Sequence, residues 1–193
     1  MSRRLLCAAF AIVTGGSLLL AGCAPLLVAG AVGGTALVVA DRRSTGAQVD
    51  DEAIELKVAN NIGAGYGDQV HVSATSYNGI VLLTGEVPTQ DALASIVEIT
   101  RATPKVRRVD NEVAIGPVSS LGTRTNDSYI TSLVKSRFVE ANKFAANHVK
   151  VVTERQVVYL MGLVRRDEGD AAGQIAATTS GVMRVVKLFE YIN

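Results

Sequence analysis

The chain has 193 residues, a formal net charge of +1 and 48% hydrophobic residues, and its two cysteines both fall within the first 23 positions. That usage excludes a disulfide scaffold and a cysteine-held metal centre in the remaining chain. The near-zero charge hides an asymmetry: residues 50–117 carry 5 basic against 10 acidic side chains, and residues 124–193 carry 10 against 7, so the two halves suit different surroundings.

Arg3 and Arg4 precede an uncharged apolar run from Leu5 to Ala21, and Leu20, Ala21 and Gly22 lead into Cys23. A basic start, an apolar middle and small residues before a cleavage point make a secretory signal over residues 1–22. A cysteine directly after Leu-Ala-Gly resembles the lipobox of bacterial lipoproteins. The resemblance implies that the Cys23 sulfur receives a diacylglyceryl group and that the new amine, freed by cleavage, is acylated. Ala24 stands where an Asp would imply retention in the inner membrane, so the outer membrane is implied, with the chain facing the periplasm. The competing reading is a plain signal or membrane helix with a chance cysteine. With Cys7 removed and Cys23 acylated no thiol remains, and stability must come from packing.

Residues 24–40 are apolar and glycine-rich, short for a membrane span. Gly30, Gly33 and Gly34 weaken a helix there. Residues 23–49 therefore read as a tether, lying at the membrane or folding back onto a domain, with a polar connector from Asp41 to Gly46. If flexible, its reach is roughly 30 Å.

Two copies of one pattern follow. Ile54, Val58 and Ile62 recur at helical spacing after Asp51, as Ile130, Val134 and Phe138 do after Asp127; both Asp residues suit the N-cap position. Val70 and Val72, then Val149 and Val151, alternate as strands. Tyr77-Asn78-Gly79 and Glu154-Arg155-Gln156 turn into the runs Ile80–Gly85 and Val157–Gly162, a hairpin signal. A second helix is expected from about Thr89 to Ala102, stopped by Pro104, and from about Arg166 to Thr179, with Gly181 as its C′ residue. A last strand closes each copy, through Val106, Val109, Val113 and Ile115, then Val182, Val185, Leu188 and Phe189.

Each copy is thus α-β-β-α-β, an α+β domain with two helices packed on a three-stranded mixed sheet. The expected domains are residues 50–117 and 126–193, joined by a linker over 118–125. Domains this small are marginal alone, which favours packing of the copies together.

The element order, Gly85 and Gly162 closing the second strands, and Gly181-Val182-Met183-Arg184-Val185 resemble the BON domain. Asp41-Arg42-Arg43-Ser44-Thr45-Gly46, Asn126-Asp127-Ser128-Tyr129-Ile130 and Leu160-Met161-Gly162-Leu163-Val164 are similar to stretches of dual BON-domain outer-membrane lipoproteins. The resemblance covers essentially the whole chain.

Convergent catalytic groups are not legible, so an enzyme is not expected. His71 and His148 read as solvated strand residues, and without a His-x-x-x-His spacing they make no metal case. Gly63, Gly65 and Gly67 follow a helix instead of preceding one, unlike a phosphate loop, and read as a loose helix exit. Asp167, Glu168 and Asp170 fall in a first helical turn, where the macrodipole favours them. No cofactor is called for, and export disfavours nucleic acid.

The helix after Asp127 has an unusual outer face. Opposite its core stripe lie Tyr129, Ser132, Ser136, Val139 and, if the helix persists, Lys143, with Lys135 at the flank. Such a face suits an anionic membrane interface, while packing of Tyr129 and Val139 on the first domain or the linker is the alternative. The corresponding positions of the first copy are Ala53, Leu56, Asn60 and Gly63, beside Glu52 and Glu55. The resemblance implies contact of this helix with anionic phospholipid such as phosphatidylglycerol; the family commonly has Trp where Tyr129 stands. It further implies a role in outer-membrane integrity, enrichment at the division site, and the outer-membrane protein assembly machinery as a partner. A protein-interaction scaffold is the rival expectation.

Overall fold

A computed structural model describes residues 41–193; the signal, the lipobox with Cys23 and the tether as far as residue 40 lie outside the described residues. Ser44 opens helix α1 (Thr45–Tyr66), its side chain accepting from the Ala47 N–H at 3.1 Å. Ser120 opens α3 (Leu121–Ala141) in the same way through the Thr123 N–H. A hydroxyl at this position satisfies one of the orphan amides of the first turn. The buried stripes are Asp51, Ile54, Val58 and Ile62 on α1 and Asp127, Ile130, Val134 and Phe138 on α3.

This corrects the expectation that Asp51 and Asp127 are N-caps. Both helices start earlier, inside the stretches assigned to the tether and the linker, and both carboxylates are buried within the helix. Their partners are the turns of the hairpins. Strands β1 (His71–Tyr77) and β2 (Ile80–Val87) are joined by Asn78 and Gly79, both at positive φ. The N–H groups of those two residues donate to Asp51 at 2.7 and 2.8 Å, as do the Ser76 hydroxyl at 2.6 Å and Arg43 at 2.8 Å. Strands β4 (Val149–Glu154) and β5 (Val157–Val164) turn through Arg155 and Gln156, also at positive φ, whose N–H groups donate to Asp127 at 2.8 and 2.9 Å. A two-residue turn of this hand matches strand twist but leaves its amides unpaired, and the buried carboxylate pairs them. Burial opposes ionisation of Asp51, yet the bonds from Ser76, Gly79, Asn78 and Arg43 outweigh it and hold the carboxyl below its ordinary value.

Helix α2 (Gln90–Arg101) is capped by Thr89 and followed by β3 (Arg108–Ile115); α4 (Arg166–Ala177) is followed by β6 (Arg184–Tyr191). Helix α4 ends at Thr178, so Gly181 is not its C′ residue. Gly181 sits at φ 85° in the approach to β6, and a side chain there would press on Ile130. Gly63 and Gly65 belong to α1, which Gly67 ends at φ 52°.

Both sheets are mixed, in the orders β1-β2-β3 and β4-β5-β6, with the first pair antiparallel and the second parallel. In each repeat one face of the sheet packs on its helices. Val81, Leu83 and Val87 meet Ile54, Val58, Ile62 and Ile96 in the first; Val158, Leu160 and Val164 meet Ile130, Val134 and Phe138 in the second. The other faces pack on each other: Tyr77, Ile80, Leu82, Tyr159 and Met161 form a third buried cluster drawn from both repeats. At about 1.5–3 kcal/mol for each large apolar side chain buried, this seam contributes enough to rescue two marginal domains. Every residue of β2 is buried, as a strand covered on both faces must be.

Candidate functional site

The outer face of α3 is open. Tyr129 is 62% and Val139 68% exposed, and Ser132, Lys135 and Ser136 are exposed beside them. Lys143 is exposed too but does not continue the face: Asn142 still bonds the Phe138 carbonyl through its N–H, but its left-handed backbone at φ 46° ends the helix before Lys143. Arg137, on the flank, is held by the Ile175 carbonyl and the hydroxyls of Thr178 and Thr179.

Three hydroxyls on or beside this face have internal partners. Thr125, Ser128 and Ser132 each donate to the carbonyl one turn back, at 2.9, 3.0 and 3.0 Å. A hydroxyl bonded in this way loses little when water is removed from around it. Helix α1 also exposes apolar side chains, Val49 and Leu56, but it places the carboxylate of Glu52 among them, and Glu55 is tied up with the Ser76 N–H and Lys150. Compared with α1, α3 combines apolar exposure with hydroxyls bonded to their own helix. Among the described residues no helix is long and apolar enough to cross a membrane.

A second constellation lies at one end of the seam between the repeats. His71 on β1 faces Glu86 on β2 across the antiparallel pair, with Nδ1 3.1 Å from a Glu86 oxygen, and Glu154 on β4 completes the group. One nitrogen of His71 and one oxygen of each glutamate lie within 4.8 Å of one another. Glu86 is 1% exposed; one of its oxygens takes the His71 and Ser119 contacts, and the other has no hydrogen-bond partner. Burial pushes the Glu154 carboxyl up from its ordinary value, His71 opposes this, and Glu86 and Asp127 add to it. Neither histidine is the solvated strand residue that alternation suggests: His71 is half-buried against Glu86, and His148 is buried. A glutamate on the same strand face as Ile80 and Leu82 was the available signal for this group.

Glu168 falls in the first turn of α4, as expected, and does more there than partner the dipole. It is buried, accepts from the Arg165 N–H at 2.8 Å in a capping box, and takes a two-pronged ion pair from Arg42 at 2.6 and 2.9 Å. Arg42 holds the Glu168 carboxyl down at about 2, against burial and with help from the Arg165 N–H.

The BON domain family matches residues 50–117 and 126–193. The chain is 37% identical over 188 residues to the outer membrane lipoprotein DolP of Haemophilus influenzae, covering 95% of both chains. It is 35% identical over 154 residues to a 21 kDa hemolysin of Actinobacillus pleuropneumoniae, covering 79% of each. Among solved structures, the C-terminal domain of CdsD, a structural protein of the type III secretion system of Chlamydia trachomatis, aligns over 74% of this chain and 67% of its own at a TM-score of 0.30 and 17% identity.

Proposed function

From the premise that this chain belongs to the BON-domain family, we propose that it is an outer-membrane lipoprotein that acts without catalysis and binds anionic phospholipid through α3 of its second repeat. Cys23 carries the acyl chains, and more than one chain gives stable anchoring. The domains face the periplasm. The chain supports outer-membrane integrity, and enrichment at the division site belongs to the same reading.

The observation that carries the reading is the open face of α3, with Tyr129 and Val139 exposed beside Lys135 and above hydroxyls bonded to their own helix. Tyr129 suits the headgroup layer, Lys135 the lipid phosphate, and the small serines permit close approach. Lys143 adds a charge from the loop beyond the helix. Held by the anchor at roughly millimolar effective concentration, even a weak contact of this kind is occupied. The relative from Haemophilus influenzae, an outer membrane lipoprotein by name, supports the localisation.

The rival reading is a scaffold for envelope or outer-membrane assembly machinery, built on the opposed charges of the two repeats. Part of that charge is used within the molecule: Glu55 pairs with Lys150 at 2.7 Å and Glu112 with Arg184 at 3.4 Å. The test is flotation of the chain lacking residues 1–23 with vesicles made with or without phosphatidylglycerol. Binding is expected only with the anionic lipid, and the double change Tyr129→Glu and Val139→Glu should abolish it. Binding that survives this double change, or that never occurs, ends the lipid-face reading.

A further inference from the structure

The geometry points to a zinc-type metal site at the seam, formed by His71 and Glu86 of the first repeat and Glu154 of the second. The three ligand atoms already lie within 4.8 Å of one another. A tetrahedral zinc ion with bonds of about 2.0–2.1 Å needs its ligands about 3.3 Å apart, so the His71–Glu86 contact at 3.1 Å is near that spacing and Glu154 has a short distance to close. Two glutamates and an imidazole leave one position of the tetrahedron open for water.

Electrostatics favours a positive charge here, from an ion or from a proton, and metal titration separates the two. Glu86 and Glu154 each keep one buried oxygen without a hydrogen-bond partner, at the polar end of a seam whose middle is apolar. Two carboxylates taken out of water close together cannot both remain charged without compensation. The nearby Arg124, which bonds the Ser119 carbonyl at 3.0 Å, offsets part of the charge on Glu154 but reaches neither glutamate with a hydrogen bond among those of the described residues. Asp127 adds further negative charge to the cavity of about 180 Å³ that His71, Glu154 and Arg124 line with it. That cavity gives an ion and its water a way in.

The two repeats differ at this point. The residues of the opposite repeat that correspond to His71, Glu86 and Glu154 are His148, Leu163 and Tyr77. There the backbone oxygen of Leu163 is bonded by Arg42 and the Tyr77 ring is buried in the seam, so that end closes with an aromatic and an arginine. Only the His71 end carries facing glutamates. An imidazole beside carboxylates selects a borderline transition metal such as zinc over magnesium or calcium, which take oxygen ligands. The site draws on β1, β2 and β4, so a bound ion would join the two repeats across the seam.

The test titrates full-length, untagged protein in detergent micelles with Zn²⁺ in competition with a chromophoric chelator. One ion per chain is expected, and excess Mg²⁺ should not displace it. Glu154→Gln keeps the shape of the side chain and removes its charge; His71→Ala removes the imidazole. Each should weaken binding by at least the loss typical of an outer-shell partner, about 10- to 100-fold, with an unchanged circular dichroism spectrum. Uptake well below one ion per chain, as a proton shared between the glutamates would give, overturns the site. So does an affinity that Glu154→Gln leaves intact, or displacement by magnesium.

Discussion

The glycine inside β2, two residues before its end, shows how little freedom some single positions have. Gly85 sits at φ 115°, and a Cβ added there would collide with the backbone carbonyl of His71 on the neighbouring strand; at Gly162 it would meet the carbonyl of His148. The backbone of one strand presses on the next where a side chain would stand, so the two glycines have one cause. Gly85→Ala adds an unfavourable φ to a backbone collision. It should cost about 3 kcal/mol or more, read from the urea midpoint at constant slope. Asp51 and Asp127 teach the converse lesson. An Asp before an apolar helical stripe is the ordinary sign of an N-cap, and nothing local distinguishes a carboxylate whose partners are amides more than twenty residues away. The residue type was legible as an acceptor for free N–H groups; which N–H groups it serves is settled by the turn that folds against it.

At the scale of elements the repeat was readable because periodicity survives in both copies. The stripes Ile54, Val58, Ile62 and Ile130, Val134, Phe138 are buried, and Asn78-Gly79 makes the tight turn its chemistry favours. The starts of α1 and α3 were not readable in the same way, since the turns before Asp51 and Asp127 face solvent with no buried apolar stripe, Val49 and Leu121 included. The cap decides them. Ser120→Ala should therefore destabilise the protein by about 1 kcal/mol through the first turn of α3, measurable by thermal unfolding. The change leaves Tyr129 and Val139 several residues downstream on intact helix. Vesicle binding through that face, if it occurs as proposed, should change little in the same variant.

Across the whole molecule, the seam was the least legible part. It depends on which strand faces meet, and local spacing carries no such information; the small size of each copy favoured packing, and the unbroken apolar runs Ile80–Leu83 and Val157–Met161 were its local trace. The ion pair of Arg42 with Glu168 adds a contact of the same long range, joining the segment before α1 to the first turn of α4. Its pH dependence can be worked out. Arg42 depresses the Glu168 carboxyl to about 2 from an ordinary 4.5, so the folded form binds that proton less readily than the unfolded chain. The stabilisation is therefore fully present above about pH 4.5 and is lost as pH falls toward about 2. Glu168→Gln separates this from the rest of acid unfolding, because a glutamine can still accept from the Arg165 N–H in the capping box and loses only the charge. The variant should be less stable than the parent at neutral pH, and the gap should close progressively below about pH 4.5 until the two chains coincide near pH 2. Asp51, also depressed, loses its contribution in both proteins alike and cancels from the difference. Denaturant melts of the two chains across that range measure the gap directly; a gap that stays constant with pH would show that the Arg42 pair contributes nothing through charge.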